Sequence, residues 1–129
     1  MRVSLREHPV AATIPVSDMA RAREFYEGRL GLSGGKDQED GGHTYPSGDG
    51  SYIHIYPSPE NAGRSAATLA AWMVDDVGGA VDALIANGVA FEQYGKPLNT
   101  DEKGIARLGA SEIAWFRDPD GNILAVESR

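Results

Sequence analysis

Two stretches decide the fold: Ala12-Thr13-Ile14-Pro15-Val16-Ser17-Asp18-Met19 and Ala70-Ala71-Trp72-Met73-Val74-Asp75-Asp76-Val77, with Val16 and Val74 standing 58 residues apart. In each, a strand-like run ends on a valine, and an aspartate two places on is suited to cap a helix. An amphipathic helical pattern then follows. A unit stated twice builds one fold from two halves and places a binding site where they meet.

Working outward, Val10, Ala12, Ile14 and Val16 alternate with Ala11, Thr13 and Pro15, which reads as a strand with two different faces. The helix after it carries the apolar stripe Met19, Ala22, Tyr26, Leu30 and closes on Gly31. Residues 32–57 are short runs punctuated by Gly34-Gly35, Gly41-Gly42 and Ser47-Gly48-Asp49-Gly50, the pattern of three antiparallel strands. Residues 58–65 are small, polar and turn-rich. The second unit opens with a strand over 69–74, and its helix has the stripe Val77, Ala80, Val81, Leu84, Ile85 and stops at Gly88. Residues 91–94 read as a strand and 95–103 as a long polar loop. A hairpin ends the chain, its strands 113–117 and 122–127 joined by Asp118-Pro119-Asp120-Gly121. The expectation is one α+β domain over 1–129, with a βαβββ module at about 8–57, a linker at about 58–66 and a second module at about 67–129.

The 12 basic and 19 acidic residues leave a net charge of −7, which disfavours nucleic acid and anionic membrane as partners and favours a cationic ligand. Cysteine is absent, so disulfides and thiolate chemistry are excluded. No apolar run reaches the roughly 18 residues of a membrane span, and the first residues lack a secretory apolar stretch; a cytoplasmic location is expected.

Strand parity selects the candidate site. Ile53 and Ile55 form the apolar set that packs under the helix, leaving Tyr52, His54 and Tyr56 on the opposite face. Pairing Pro46 with Ser51 across a four-residue turn would add His43 and Tyr45 to that same face. In the second unit, Leu69, Ala71 and Met73 take the cavity face, while Trp72 joins Ala70 and Val74 beneath the helix. His43 and His54 on adjacent strands could also hold a divalent metal such as Zn, Ni or Mn, with Glu112 or Glu127 supplying a carboxylate. Asp18, Asp75 and Asp76 read as helix-start residues, and the Asp118 to Gly121 segment as a turn. No Ser-His-Asp order, phosphate-binding glycine loop or paired-carboxylate motif is readable.

The doubled unit, the segment Val16-Ser17-Asp18-Met19-Ala20-Arg21-Ala22-Arg23-Glu24-Phe25-Tyr26 with Leu30-Gly31-Leu32, and the closing Asp118-Pro119-Asp120-Gly121-Asn122 together resemble the vicinal oxygen chelate superfamily of glyoxalases, bleomycin-resistance proteins, fosfomycin-resistance enzymes and extradiol dioxygenases. The resemblance implies two βαβββ modules whose mixed sheets curl around a central cavity. It also implies four metal-ligand positions, which fall here on Ala11, His54, Leu69 and Ala125; only His54 has a donor atom. The resembling glyoxalases place a pocket aromatic where this chain has Trp115, with Ile113 and Ile123 flanking it.

The resemblance therefore implies a small-molecule binding protein of the bleomycin-resistance type. It would be a metal-free cytoplasmic homodimer without cofactor, conferring antibiotic resistance by sequestering a cationic or aromatic drug or metabolite in an aromatic cavity. The alternative it implies is a glyoxalase-like lyase or isomerase, or a dioxygenase, working through His54 with a rearranged or absent metal site.

Overall fold

The structure is a computed structural model that describes residues 2–128; Met1 and Arg129, at the ends of the expected domain, lie outside the described residues. The first half runs β1 (Ala11–Val16), α1 (Met19–Arg23, continued by a π-helical turn over Glu24–Arg29), β2 (Lys36–Asp37), β3 (His43–Pro46) and β4 (Tyr52–Pro57). The second runs β5 (Thr68–Met73), α2 (Val77–Ala86), β6 (Ile105–Leu108), β7 (Ser111–Arg117) and β8 (Ile123–Glu127). Each half forms a four-stranded sheet, in the orders β1-β4-β3-β2 and β5-β8-β7-β6. The parallel pairs β1–β4 and β5–β8 make both sheets mixed, because each first strand returns beside the last across a helix. Two similar α+β modules are therefore present, with sheets that do not close on one another.

The repeat is legible in its caps. Asp18 accepts the Arg21 N–H and Asp76 accepts the Gly79 N–H, each at 3.0 Å. The closing glycines Gly31 and Gly88 both adopt positive φ, +78° and +89°. They are one residue closer together than the two caps are. The π turn absorbs the difference: Leu30 N–H reaches back five residues to Phe25 O at 3.1 Å, which fits one extra residue into the first helix.

The helix-side faces of both sheets share one core. Ile14, Val16, Tyr45 and Ile55 from the first module join Val81, Phe116, Leu124 and Val126 from the second, and the Phe25 ring bridges them, 6.4 Å from that of Phe116. The opposite faces of the sheets consequently turn away from the core.

Two expectations are corrected. Residues 91–94 are not a strand: Phe91 makes an isolated bridge to Phe116, and Glu92 N–H bonds Trp115 O at 2.8 Å. The second strand of the module is Ile105–Leu108, which pairs along the same β7 edge and follows the polar loop read over residues 95–103. Gly104 allows that arrangement, since a Cβ there would sit 2.9 Å from both Glu92 O and Phe91 Cβ.

The second correction is a register. Pro46 pairs with Tyr52, not Ser51, so the β3–β4 turn has one residue more than expected. Asp49 (φ +52°) and Gly50 (φ +75°) take left-handed conformations inside it. Because side chains alternate, that single residue moves all of β3 to the other face.

Candidate functional site

The register divides the predicted aromatic wall. Tyr52, His54 and Tyr56 lie on the open face of the first sheet, joined by Thr44, which pairs with His54. His43 and Tyr45 stand opposite Ile55 and Ile53 on the helix side, 6% and 1% exposed. There they belong to a polar network and to no open cavity. Tyr45 donates to Glu27 Oε2 at 2.6 Å, Glu27 pairs with Arg23 at 2.6 Å, and His43 Nδ1 lies 2.8 Å from Asp37 Oδ1. Arg23, with help from Tyr45, holds the Glu27 carboxyl below its ordinary range. Burial, reinforced by Glu27, pushes the Tyr45 phenol up.

His54 keeps its place on the open face. Its Nε2 is 3.0 Å from Asp40 Oδ2 but out of line for a hydrogen bond, which leaves this buried nitrogen without a hydrogen-bond partner. The Asp40 carboxyl is lowered first by the Gly42 N–H and then by His54. Asp40 thus places a carboxylate within 3.0 Å of the His54 ring without a hydrogen bond that fixes its orientation.

On the second sheet, Trp115 and Ile113 share the open face with Ala125, and the Trp115 ring meets Tyr94 edge-on at 5.4 Å. Tyr94, from the misread strand, is a neighbour of the site that parity could not supply. Met73 is 57% exposed and pairs with Glu127. Ile123 is buried, next to Arg117 in register. Leu69 departs from its expected place: β5 shifts register between Thr68 and Ala70, and Leu69 packs against the core. Trp72 lies beneath α2 as expected, its ring nearly parallel to Phe116 at 6.4 Å and 19°.

One concavity on the seam is on the helix side. A cleft of about 410 Å³ is lined by Leu30 and Leu32 from the first module and by Trp72, Ala83, Leu84 and Phe116 from the second. A smaller recess of about 260 Å³ on the open face of the first sheet includes Lys36, Thr44 and Tyr52. Sequence reading placed Trp72 correctly and missed the cleft, which depends on how the end of the first helix meets α2.

The residues present do not fit the superfamily's four-ligand metal. Ala11, Leu69 and Ala125 offer no lone pair, and among the described residues no three His, Asp or Glu side chains converge. The alternative pair also fails to converge, because His43 and His54 project from opposite faces of their sheet. Glu112, one of the carboxylates that might have completed it, is engaged by Arg107 at 3.1 Å.

Among the described residues, no helix is long and apolar enough to cross a membrane. No curated protein matches the chain. Solved structures similar to it include TnmS3, an antibiotic binding protein from Streptomyces sp. CB03234, at 24% identity and a TM-score of 0.68 over 99% of this chain and 98% of that one. A glyoxalase/bleomycin resistance protein from the same organism is 22% identical, with a TM-score of 0.61 over 93% of this chain and 98% of that one. A glyoxalase family protein from Bacillus anthracis is 20% identical, with a TM-score of 0.69 over 100% and 99%. At these identities the likeness speaks for the fold. The family model for the Glyoxalase/Bleomycin resistance protein/Dioxygenase superfamily matches residues 8–126, and the chain belongs to that superfamily.

Proposed function

We propose that the protein is a metal-free binding protein that sequesters a small cationic or aromatic molecule on the open faces of its sheets. The observation that carries this reading is the pairing of a helix-side core with uncovered aromatic and apolar side chains on the opposite faces: Tyr52 is 39% exposed, Met73 57% and Leu108 51%. Such side chains on a strand face mark a surface built to be covered. The net charge of −7 favours arrival of a cation, and TnmS3, an antibiotic binding protein, shares the fold. A second copy of the chain covering these faces would complete a pocket, giving a homodimer.

Bleomycin, a cationic glycopeptide, is the probe. The two tryptophans give two indole N–H resonances, and the reading expects the Trp115 signal to shift saturably while the drug is recovered chemically intact. A monomer by light scattering removes the intersubunit pocket. An unshifted Trp115 signal with bleomycin and with a panel of aromatic antibiotics overturns the binding reading.

The contact between His54 and Asp40 favours one second reading, a metal-free enzyme in which His54 moves a proton. Turnover of the methylglyoxal–glutathione hemithioacetal that disappears in His54→Ala would establish it in place of sequestration.

A further inference from the structure

The seam cleft has a counterpart. The repeat relates the two helices by 58 positions at their caps and 57 at their closing glycines, so Ala83 of α2 corresponds to Phe25 on the first spacing and to Tyr26 on the second. On either count, an alanine stands where the first helix carries a buried aromatic ring. Phe25 reaches across the seam to Phe116, and Tyr26 donates to Asp118 Oδ2 at 2.8 Å. Both rings therefore occupy part of the space between the end of their own helix and the opposite module, beside a recess that stays open. The matching space at the end of α2 is bounded by Leu30 and Leu32 of the opposite module, and it is the cleft of about 410 Å³.

The two sides differ in chemistry as well as filling. The recess beside Phe25, about 360 Å³, is rimmed by Arg29, Glu92, Arg117 and Asp118. Among the described residues, the lining of the cleft beside Ala83 has no charged side chain; its polar members are Ser47 and Asn87. The Asn87 amide already donates to Arg29 O at 3.3 Å. One wall is the near-parallel Trp72–Phe116 pair, a surface that favours an aromatic face or edge. Its volume lies within the range of small-molecule sites.

We propose that this cleft is a second ligand site, distinct from the open faces, that takes one uncharged planar aromatic molecule in the place of the ring the second helix lacks. The absence of a charged lining residue excludes an ionic ligand, because no partner would compensate its desolvation. Ala80 and Ala83, on one face of α2, keep the wall low enough for a ring to lie against Trp72.

The test uses the full chain and N-phenyl-1-naphthylamine, an uncharged aromatic whose emission rises in apolar surroundings. The expected result is saturable binding of one molecule per chain that shifts the Trp72 indole N–H signal. Ala83→Phe, which restores the ring of the first unit, should weaken binding by at least about tenfold. Ile85→Phe places the same ring on the exposed side of α2 and should leave binding intact. Wild-type affinity in a folded Ala83→Phe protein overturns the proposal. So does a probe that shifts only the Trp115 signal, which is the open-face reporter. If Ala83→Phe fails to fold, the identity of the shifted indole in the wild type decides the matter. Because the two sites report through different tryptophans, failure here is distinguishable from failure of the open-face reading.

Discussion

Asn122 Nδ2 lies 2.8 Å from the carbonyl oxygen of Pro15, a hydrogen bond between residues 107 positions apart that fastens the last hairpin to the first strand. The same side chain accepts the Gly63 N–H at 3.0 Å and donates to Asp118 Oδ2, which Tyr26 also engages. Asn122 is 1% exposed, so water cannot replace these bonds. A segment that reads as a hairpin turn is therefore a clasp between modules. Asn122→Ala should lower unfolding free energy by roughly 2–3 kcal/mol, since it strands buried partners. Arg21→Ala, which removes a half-exposed guanidinium from its pair with the largely buried Asp120 carboxylate at the same junction, should cost less, about 1 kcal/mol. Urea denaturation of the two variants checks the contrast.

The β3–β4 register predicts an inequality between two tyrosines. Tyr45 is in the core and bonded to Glu27; Tyr52, seven residues on, is on the open face. Tyr45→Ala should cost about 3–5 kcal/mol, and Tyr52→Ala less than about 1 kcal/mol. Similar losses at both positions would mean that the two share a face and that the turn is one residue shorter.

Those two tyrosines also mark where sequence reading stops. Helix caps and stripes are local: Asp18 and Asp76 each sit beside the turn they close, and their spacing alone finds the two modules. The register of β3 is not local, because it rests on whether Ser47 to Ser51 holds four or five turn residues, and both are sterically open to a Gly-Asp-Gly run. Phe91 to Tyr94 has strand composition, yet β7 pairs along most of its edge with Ile105–Leu108; the choice between two segments for one edge is settled by tertiary packing. Trp72 could be placed by parity, whereas the void beside it could not, since its far wall is Leu30 and Leu32. The metal positions come from the resemblance to the superfamily, and once they are placed, residue identity alone tells that only His54 has a donor atom.

Acid should destabilise the protein through named carboxylates. The Ile105 N–H, followed by the Lys103 N–H and Arg107, holds Asp101 below its ordinary range, and Glu27 and Asp40 are lowered as described above. A carboxyl with a depressed folded-state pKa binds its proton less readily in the folded chain. Its contribution is fully present above the unfolded value, near about pH 4, and is lost as pH falls through the folded value. The urea midpoint should hold steady from neutral pH to about 5 and fall below about 4. In Asp101→Asn that fall should be shallower, as one of the three groups no longer titrates.

Two adjacent glycines in the first turn of α2 should respond oppositely to alanine. At Gly78 an added Cβ would meet only Asp76 Oδ1, at an ordinary 3.6 Å, and the backbone φ is not left-handed. Gly78→Ala should therefore gain roughly 0.5–1 kcal/mol by restricting the unfolded chain. At Gly79 the Cβ would lie 2.6 Å from Asp76 Oδ2 and 3.1 Å from its carboxyl carbon, and the Gly79 N–H is the donor that Asp76 caps. The carboxylate must rotate away or the turn must open, and either weakens a cap worth about 1 kcal/mol. Gly79→Ala should thus show no net gain, or a loss. Thermal melts of the two variants measured side by side would separate the backbone effect, common to both, from the cap, which belongs to Gly79 alone.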